Sequence, residues 1–191
     1  MELLPENIYH IYNRGNNKQV IFFNRENYLF FLRKTKKHLK PHINFLSYCL
    51  MPNHFHFLVH MLPDFNSRQF SEGFKVLLSS YAKAVNIQEQ RTGSLFQQNS
   101  KVKCLTKEND IASAYPQICF NYIHRNPLTN GLANKMEDWE FSSFKDYIGQ
   151  RNGTLCNQKL SFELLGLPCD SKEFYEMSYS MINSNEMQNI F

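Results

Sequence analysis

Apolar positions along this chain recur first with a strand period, then with a helix period, and the alternation repeats. Ile8-Tyr-His-Ile-Tyr12 alternates as a strand and runs into the turn-rich Asn13-Arg14-Gly15-Asn16-Asn17. Asn24 is placed to cap a helix reaching about Leu39, and Lys40-Pro41 ends it, because proline disfavours helical backbone in the residue before it. Tyr28, Phe31, Leu32, Thr35 and Leu39 form the inward stripe of that helix. Residues 43–50 and 54–61 are β-prone apolar runs joined by Met51-Pro52-Asn53, a hairpin signal. Asn66 or Ser67 opens a second helix with Phe70, Phe74, Leu77, Leu78, Tyr81 and Val85 at helical spacing, until Arg91-Thr92-Gly93 breaks it. This helix is expected to cover one face of the sheet. Residues 101–105 read as a fourth strand. A third helical region is expected from Asn109 or Asp110, with Pro116 either restarting or kinking it and Asn126-Pro127 stopping it.

The order strand, helix, hairpin, helix, strand, helix is that of an α+β, ferredoxin-like split β-α-β sandwich with helices on one side of an antiparallel sheet. At 191 residues the chain suits one well-buried core. Past Gly149 the sequence is polar and patternless to Asn157, then gives two short amphipathic pieces at 162–167 and 172–181. Residues 1–149 therefore read as the domain proper, and 150–191 as a small C-terminal helical appendage of uncertain role that frays near Phe191.

Composition narrows the class. No apolar run is long enough to span a bilayer, and Met1 to Glu6 lacks the layout of a signal peptide, so a cytoplasmic protein without membrane contact is expected. The five cysteines include no closely spaced pair of the zinc-knuckle or redox kind and read as buried or idle thiols. The net charge of +4 is uneven: Arg25, Arg33, Lys34, Lys36, Lys37 and Lys40 stand against Glu26 within residues 25–40, and the rest of the chain is near neutral. That basic stripe is either a solvated helix face or a phosphate contact.

The candidate chemistry lies in His54-Phe55-His56 and Tyr122-Ile-His-Arg-Asn126. On a strand, His54 and His56 share one face while Phe55, Phe57 and Val59 point to a core. Two imidazoles at that spacing can hold a divalent cation. On a helix, Tyr122 and Asn126 share a face, so a phenol and an amide oxygen can approach the same cation. A metal beside a nucleophile is a constellation for cutting a phosphodiester. Each residue also has a plainer reading, as partly buried strand histidines, a packed tyrosine and a helix-capping asparagine.

These blocks carry a resemblance. Asn13-Arg-Gly15, Tyr48-Cys-Leu-Met-Pro-Asn-His-Phe-His56, Gly93-Ser-Leu-Phe-Gln97, Tyr122-Ile-His-Arg-Asn-Pro127 and Trp139-Glu-Phe-Ser-Ser143, in this order, resemble the single-tyrosine HUH transposases of the insertion-sequence-200-like group, and most of all their REP-associated tyrosine transposases. The resemblance spans roughly residues 5–148. It implies a ferredoxin-like fold acting on single-stranded DNA next to a hairpin, with magnesium or manganese held by His54, His56 and Asn126 and with Tyr122 as nucleophile. The implied activity is a transposase or strand transferase that cleaves and rejoins DNA through a 5′-phosphotyrosine, as a monomer or homodimer. Gln98-Asn99-Ser100 departs from the basic and aromatic pair of many relatives, and contact with DNA in the family manner is not expected there.

Arg14, Lys36, Lys37 and Lys103 are candidates for DNA backbone contact, together with Arg125, which like His124 beside it either touches the scissile phosphate or faces solvent. His60 shares the strand face of His54 and His56 but is placed beyond the metal. Phe70, Phe74 and Tyr81 read as core rather than as base-stacking platforms. Two other functions fit parts of the pattern, a non-catalytic hairpin-binding regulator descended from such an enzyme and a metal-dependent nuclease that uses water.

Overall fold

The computed structural model describes residues 3–106 and 115–180. A helix start at Asn109 or Asp110 and a frayed end near Phe191 lie outside the described residues. The elements are β1 (Ile8–Arg14), α1 (Arg25–His38), β2 (Ile43–Met51), β3 (His54–Met61), α2 (Ser67–Gln88), β4 (Lys101–Cys104), α3 (Tyr115–Thr129), α4 (Phe144–Tyr147), α5 (Gln158–Leu165) and α6 (Ser171–Ser180). Both expected caps are made: the Asn24 side chain accepts from the Asn27 N–H and that of Asn66 from the Gln69 N–H.

The sheet has the order β2-β3-β1-β4 with every neighbouring pair antiparallel, the ferredoxin-like arrangement. Phe55, Phe57 and Val59 are fully buried on the face covered by α1 and α2, where Phe31 packs on Phe55, Phe57 and Tyr81. Tyr28, Phe31, Thr35 and Leu39 point inward as their spacing predicts. Phe70 and Tyr81 are core and Phe74 packs against it.

Two expectations are corrected. The helices do not all lie on one side of the sheet: α3 packs on the opposite face, its Tyr122 ring against His10 and His56. The cause is visible in β2, which is buried at almost every position rather than at alternate ones, so both faces need cover. Asn126-Pro127 does not stop α3, which continues to Thr129 with Pro127 inside it. The true stop is a Schellman turn, in which the Leu132 N–H donates to the Pro127 carbonyl and the Gly131 N–H to Leu128, with Gly131 at φ +68°. Tyr122 therefore sits a turn before the last one, and Asn126 opens the last turn.

The segment after α3 closes the free edge of β2. The Leu50 N–H donates to the Phe141 carbonyl, the Ser143 N–H to Tyr48 and the Trp139 indole to the Leu50 carbonyl. Farther on, the Asn157 N–H donates to Phe45. Residues of α6 share the same core: Phe174 is fully buried against Phe120, Phe144 and Tyr147. Among the described residues no helix is long and apolar enough to cross a membrane.

Candidate functional site

Strand register assembles one face of the sheet. Arg14 pairs with His54 and Tyr12 with His56 across β1 and β3, while Lys101 pairs with Tyr12 and Lys103 with His10 across β1 and β4. Paired residues of an antiparallel ladder project to the same side. His54, His56, Arg14, Tyr12, His10, Lys101 and Lys103 therefore line a single surface, and α3 lies over part of it. Between them is a cavity of about 350 Å³ lined by Tyr12, Asn13, Arg14, His54, His56, Gln97, Lys101 and Tyr122.

The helix delivers Tyr122 and Asn126 to the two histidines. The Tyr122 ring stands perpendicular to that of His56, centroids 5.6 Å apart. One turn later the Asn126 side chain lies beside His54 and the Tyr122 phenol, close enough to act on the titration of both, and its nitrogen donates to the Tyr122 carbonyl at 3.2 Å. On the strand side, His54 Nδ1 is 2.6 Å from Asn53 Oδ1 and His56 Nδ1 is 2.9 Å from His10 Nε2. Both imidazoles are thus held through Nδ1.

Burial sets the protonation states. It pulls His54 down to about 4, with the Asn126 hydrogen bond opposing and Arg14 assisting, and it holds His56 well below its ordinary value, with His10, His54 and Arg14 adding to the effect. Both rings are therefore neutral at pH 7 and carry the lone pairs a cation needs. Burial also raises the Tyr122 phenol, while its hydrogen bond from Asn126 opposes that rise.

The donor set fits a hard or borderline divalent cation. The Asn126 amide lies beside the His54 ring, so an amide oxygen and an imidazole nitrogen are available to one small ion. Among the described residues no cluster of three or more His, Cys, Asp or Glu side chains is placed to hold a metal.

Of the remaining expected residues, Arg14 lines the cavity and Lys103 lies one register pair away, opposite His10. Lys36 and Lys37 sit in the last turn of α1 on the other face of the sheet, where Lys36 donates to the Thr154 hydroxyl at 2.7 Å. Arg125 is only 6 % exposed. His124 neither faces solvent nor lines the cavity: it is buried, with Nε2 2.7 Å from Ser143 Oγ. His60, opposite Ile8, lies outside the cavity.

His10, Tyr12 and Lys101 belong to this surface and sequence reasoning passed over them. The period of two that places His54 with His56 also places His10, Tyr12 and Arg14 together, but only the register brings the two sets side by side. Gln97 reaches the cavity through its loop, its carbonyl accepting from Asn13 Nδ2 at 3.3 Å.

No protein-family model matches the chain, and no curated protein matches it significantly. Among solved structures it is similar to a REP-associated tyrosine transposase bound to a REP hairpin, with TM-score 0.61 and 14% identity over 78% of this chain and 84% of that one. The two share a fold. A candidate transposase of Deinococcus radiodurans also aligns, with TM-score 0.39 and 15% identity over 63% of this chain and 94% of the other, too loosely to bear on the fold.

Proposed function

We propose that this chain is a metal-dependent transposase or strand transferase that cuts single-stranded DNA beside a hairpin and rejoins it through a 5′-phosphotyrosine on Tyr122. The observation that carries this reading is the meeting of His54, His56 and Tyr122 in one cavity that Arg14 and Lys101 also line, with Asn126 beside His54 and the Tyr122 phenol. The shared fold with a transposase solved on a REP hairpin supports a DNA hairpin as partner.

Tyr122 Oη attacks phosphorus in line, the bond from phosphorus to the 3′-oxygen breaks, and that oxygen leaves as a 3′-hydroxyl carrying a proton. A phenol of ordinary pKa is only about a thousandth ionised at neutral pH, and burial of Tyr122 makes ionisation harder still. Asn126 works against that by hydrogen-bonding the phenolate, and Arg14 adds a favourable charge. His54, His56 and the Asn126 amide oxygen would hold magnesium or manganese, which would supply Lewis-acid polarisation of the scissile phosphate. Arg14 and Lys101 neutralise phosphate charge at the cavity wall. The phosphotyrosine is a diester like the bond it replaces, so attack by another 3′-hydroxyl restores Tyr122 without ATP. All four residues come from one chain, which supports action in cis.

The test is incubation with labelled single-stranded DNA carrying the repeats that flank the gene, in the presence of manganese, followed by denaturing electrophoresis. A metal-dependent covalent adduct that Tyr122→Phe abolishes is the expected result. Binding without an adduct would instead indicate a hairpin-binding regulator, and cleavage that survives Tyr122→Phe a nuclease that uses water.

A further inference from the structure

His10 and His56 are both buried, 0% and 4% exposed, and their rings are 16° from parallel with centroids 5.1 Å apart, so that Nε2 of one meets Nδ1 of the other edge to edge at 2.9 Å. A neutral imidazole has one N–H, so a hydrogen bond between two of them fixes both tautomers together. If His56 donates, its Nε2 keeps a lone pair. If His10 donates, the His56 proton sits on Nε2, and that nitrogen becomes a donor that binds no cation.

We infer that His10 is a positioning residue whose Nε2 accepts the Nδ1 proton of His56 and so holds His56 with its Nε2 lone pair available to a divalent cation. The inference rests on the metal site proposed above. His54 offers the parallel, since its Nδ1 meets Asn53 Oδ1, an amide oxygen that can only accept. His10 performs for His56 what Asn53 performs for His54. The arrangement is rigid because β1 and β3 are paired in continuous register from Ile8 and His60 to Arg14 and His54, and Tyr12 stacks on His10 at 4.8 Å. A cation on His56 Nε2 would acidify the Nδ1 proton and strengthen its bond to His10, so His10 contributes to affinity without touching the ion.

The experiment is calorimetric titration of the full chain with manganese chloride, without DNA, for wild type, His56→Ala, His10→Phe and His10→Gln. Phenylalanine keeps the ring and its stacking but cannot accept a proton, whereas the glutamine carbonyl can reach the place of Nε2. Manganese affinity should fall about 10- to 100-fold in His10→Phe and return toward wild type in His10→Gln. A long-range nitrogen-proton NMR spectrum of the metal-free wild-type chain should place the His56 proton on Nδ1. That readout needs no variant to fold. Wild type no tighter than His56→Ala would remove the metal site itself and the role of His10 with it. Tight wild-type binding that is lost in His56→Ala but unchanged in His10→Phe would overturn the His10 inference alone, as would a metal-free His56 protonated on Nε2.

Discussion

The His124 imidazole and the Ser143 hydroxyl meet at 2.7 Å, and the same hydroxyl lies 2.9 Å from the Tyr48 nitrogen and 3.3 Å from its carbonyl oxygen. One buried oxygen thus joins α3, the segment that closes the sheet edge, and β2. It sets the height of α3 two residues from Tyr122. Ser143→Ala removes the acceptor and leaves buried polar groups unmatched on both partners, which costs about 1–3 kcal/mol. Urea denaturation should show that loss as a lower midpoint at unchanged slope.

His124 also predicts a pH dependence. Burial, assisted by Arg151, holds it down to about 3, whereas the unfolded chain titrates near 6.5. Above about pH 6.5 the ring is neutral in both states and stability is complete. Below that the unfolded chain takes up a proton that the folded one refuses until about pH 3, so stability falls by about 1.4 kcal/mol per pH unit. His124→Gln removes this share. Between pH 7 and 5 the variant should lose about 2 kcal/mol less than wild type in paired denaturation curves.

The legibility of the chain divides along the range of the interactions. The caps at Asn24 and Asn66, the hairpin at Pro52 and the inward stripes of α1 and α2 depend on neighbours within a few residues, and they stand as read. Placement of α3 depends on which sheet face remains uncovered, and the clue is the almost unbroken burial of β2, whose Ile43-Asn-Phe-Leu-Ser-Tyr-Cys-Leu-Met51 scarcely alternates. The end of α3 lies past Asn126-Pro127 because a proline costs one hydrogen bond, whereas the left-handed Gly131 redirects the chain. His54, His56, Tyr122 and Asn126 were legible because each pair is local, two residues apart on a strand or one turn apart on a helix. His10 and Lys101 were not, because only cross-strand register sets them against His56 and Tyr12.

The Arg151 guanidinium is tied to Asp146 through Nε at 2.6 Å and one terminal nitrogen at 3.0 Å, and it also donates to the Glu140 and Ser142 carbonyls and to Tyr48 Oη. This clamp fastens residues 151–153 to the closed edge of β2, and the Gly153 N–H donates to the same carboxylate. The Asp146 side chain is 2% exposed and that of Arg151 is 30% exposed. Asp146→Ala should therefore cost about 3 kcal/mol, near the lower end for breaking a buried pair, because water still reaches the arginine. Thermal unfolding of the full chain measures it.

Gly15 follows Arg14 at the mouth of the cavity, and its N–H donates to the Asn53 carbonyl beside His54. A β-carbon there would overlap the backbone carbonyl of Gln19, which no rotamer change relieves. Gly15→Ala must move the Arg14 turn or the loop after it, at about 2 kcal/mol. The midpoint of thermal unfolding should fall by roughly 4–8 °C, and affinity for single-stranded DNA should fall with it as Arg14 shifts.

Asn126→Ala separates a chemical role from a helical one. Asn126 lies inside α3, not at its end, and alanine is the better helix former, so the fold has little reason to suffer beyond the bond to the Tyr122 carbonyl. The Tyr122 phenol, by contrast, loses the hydrogen bond that opposes its upward shift, and His54 loses the amide beside it. Covalent adduct formation with manganese should drop about 100-fold or more, the usual cost of removing a group aimed at developing charge, while the unfolding midpoint moves by only a few degrees. An adduct yield equal to wild type would reduce Asn126 to a packing residue and leave His54 and His56 as the protein's sole ligands, whereas equal losses of adduct and stability would point to collapse of the α3 position rather than to chemistry.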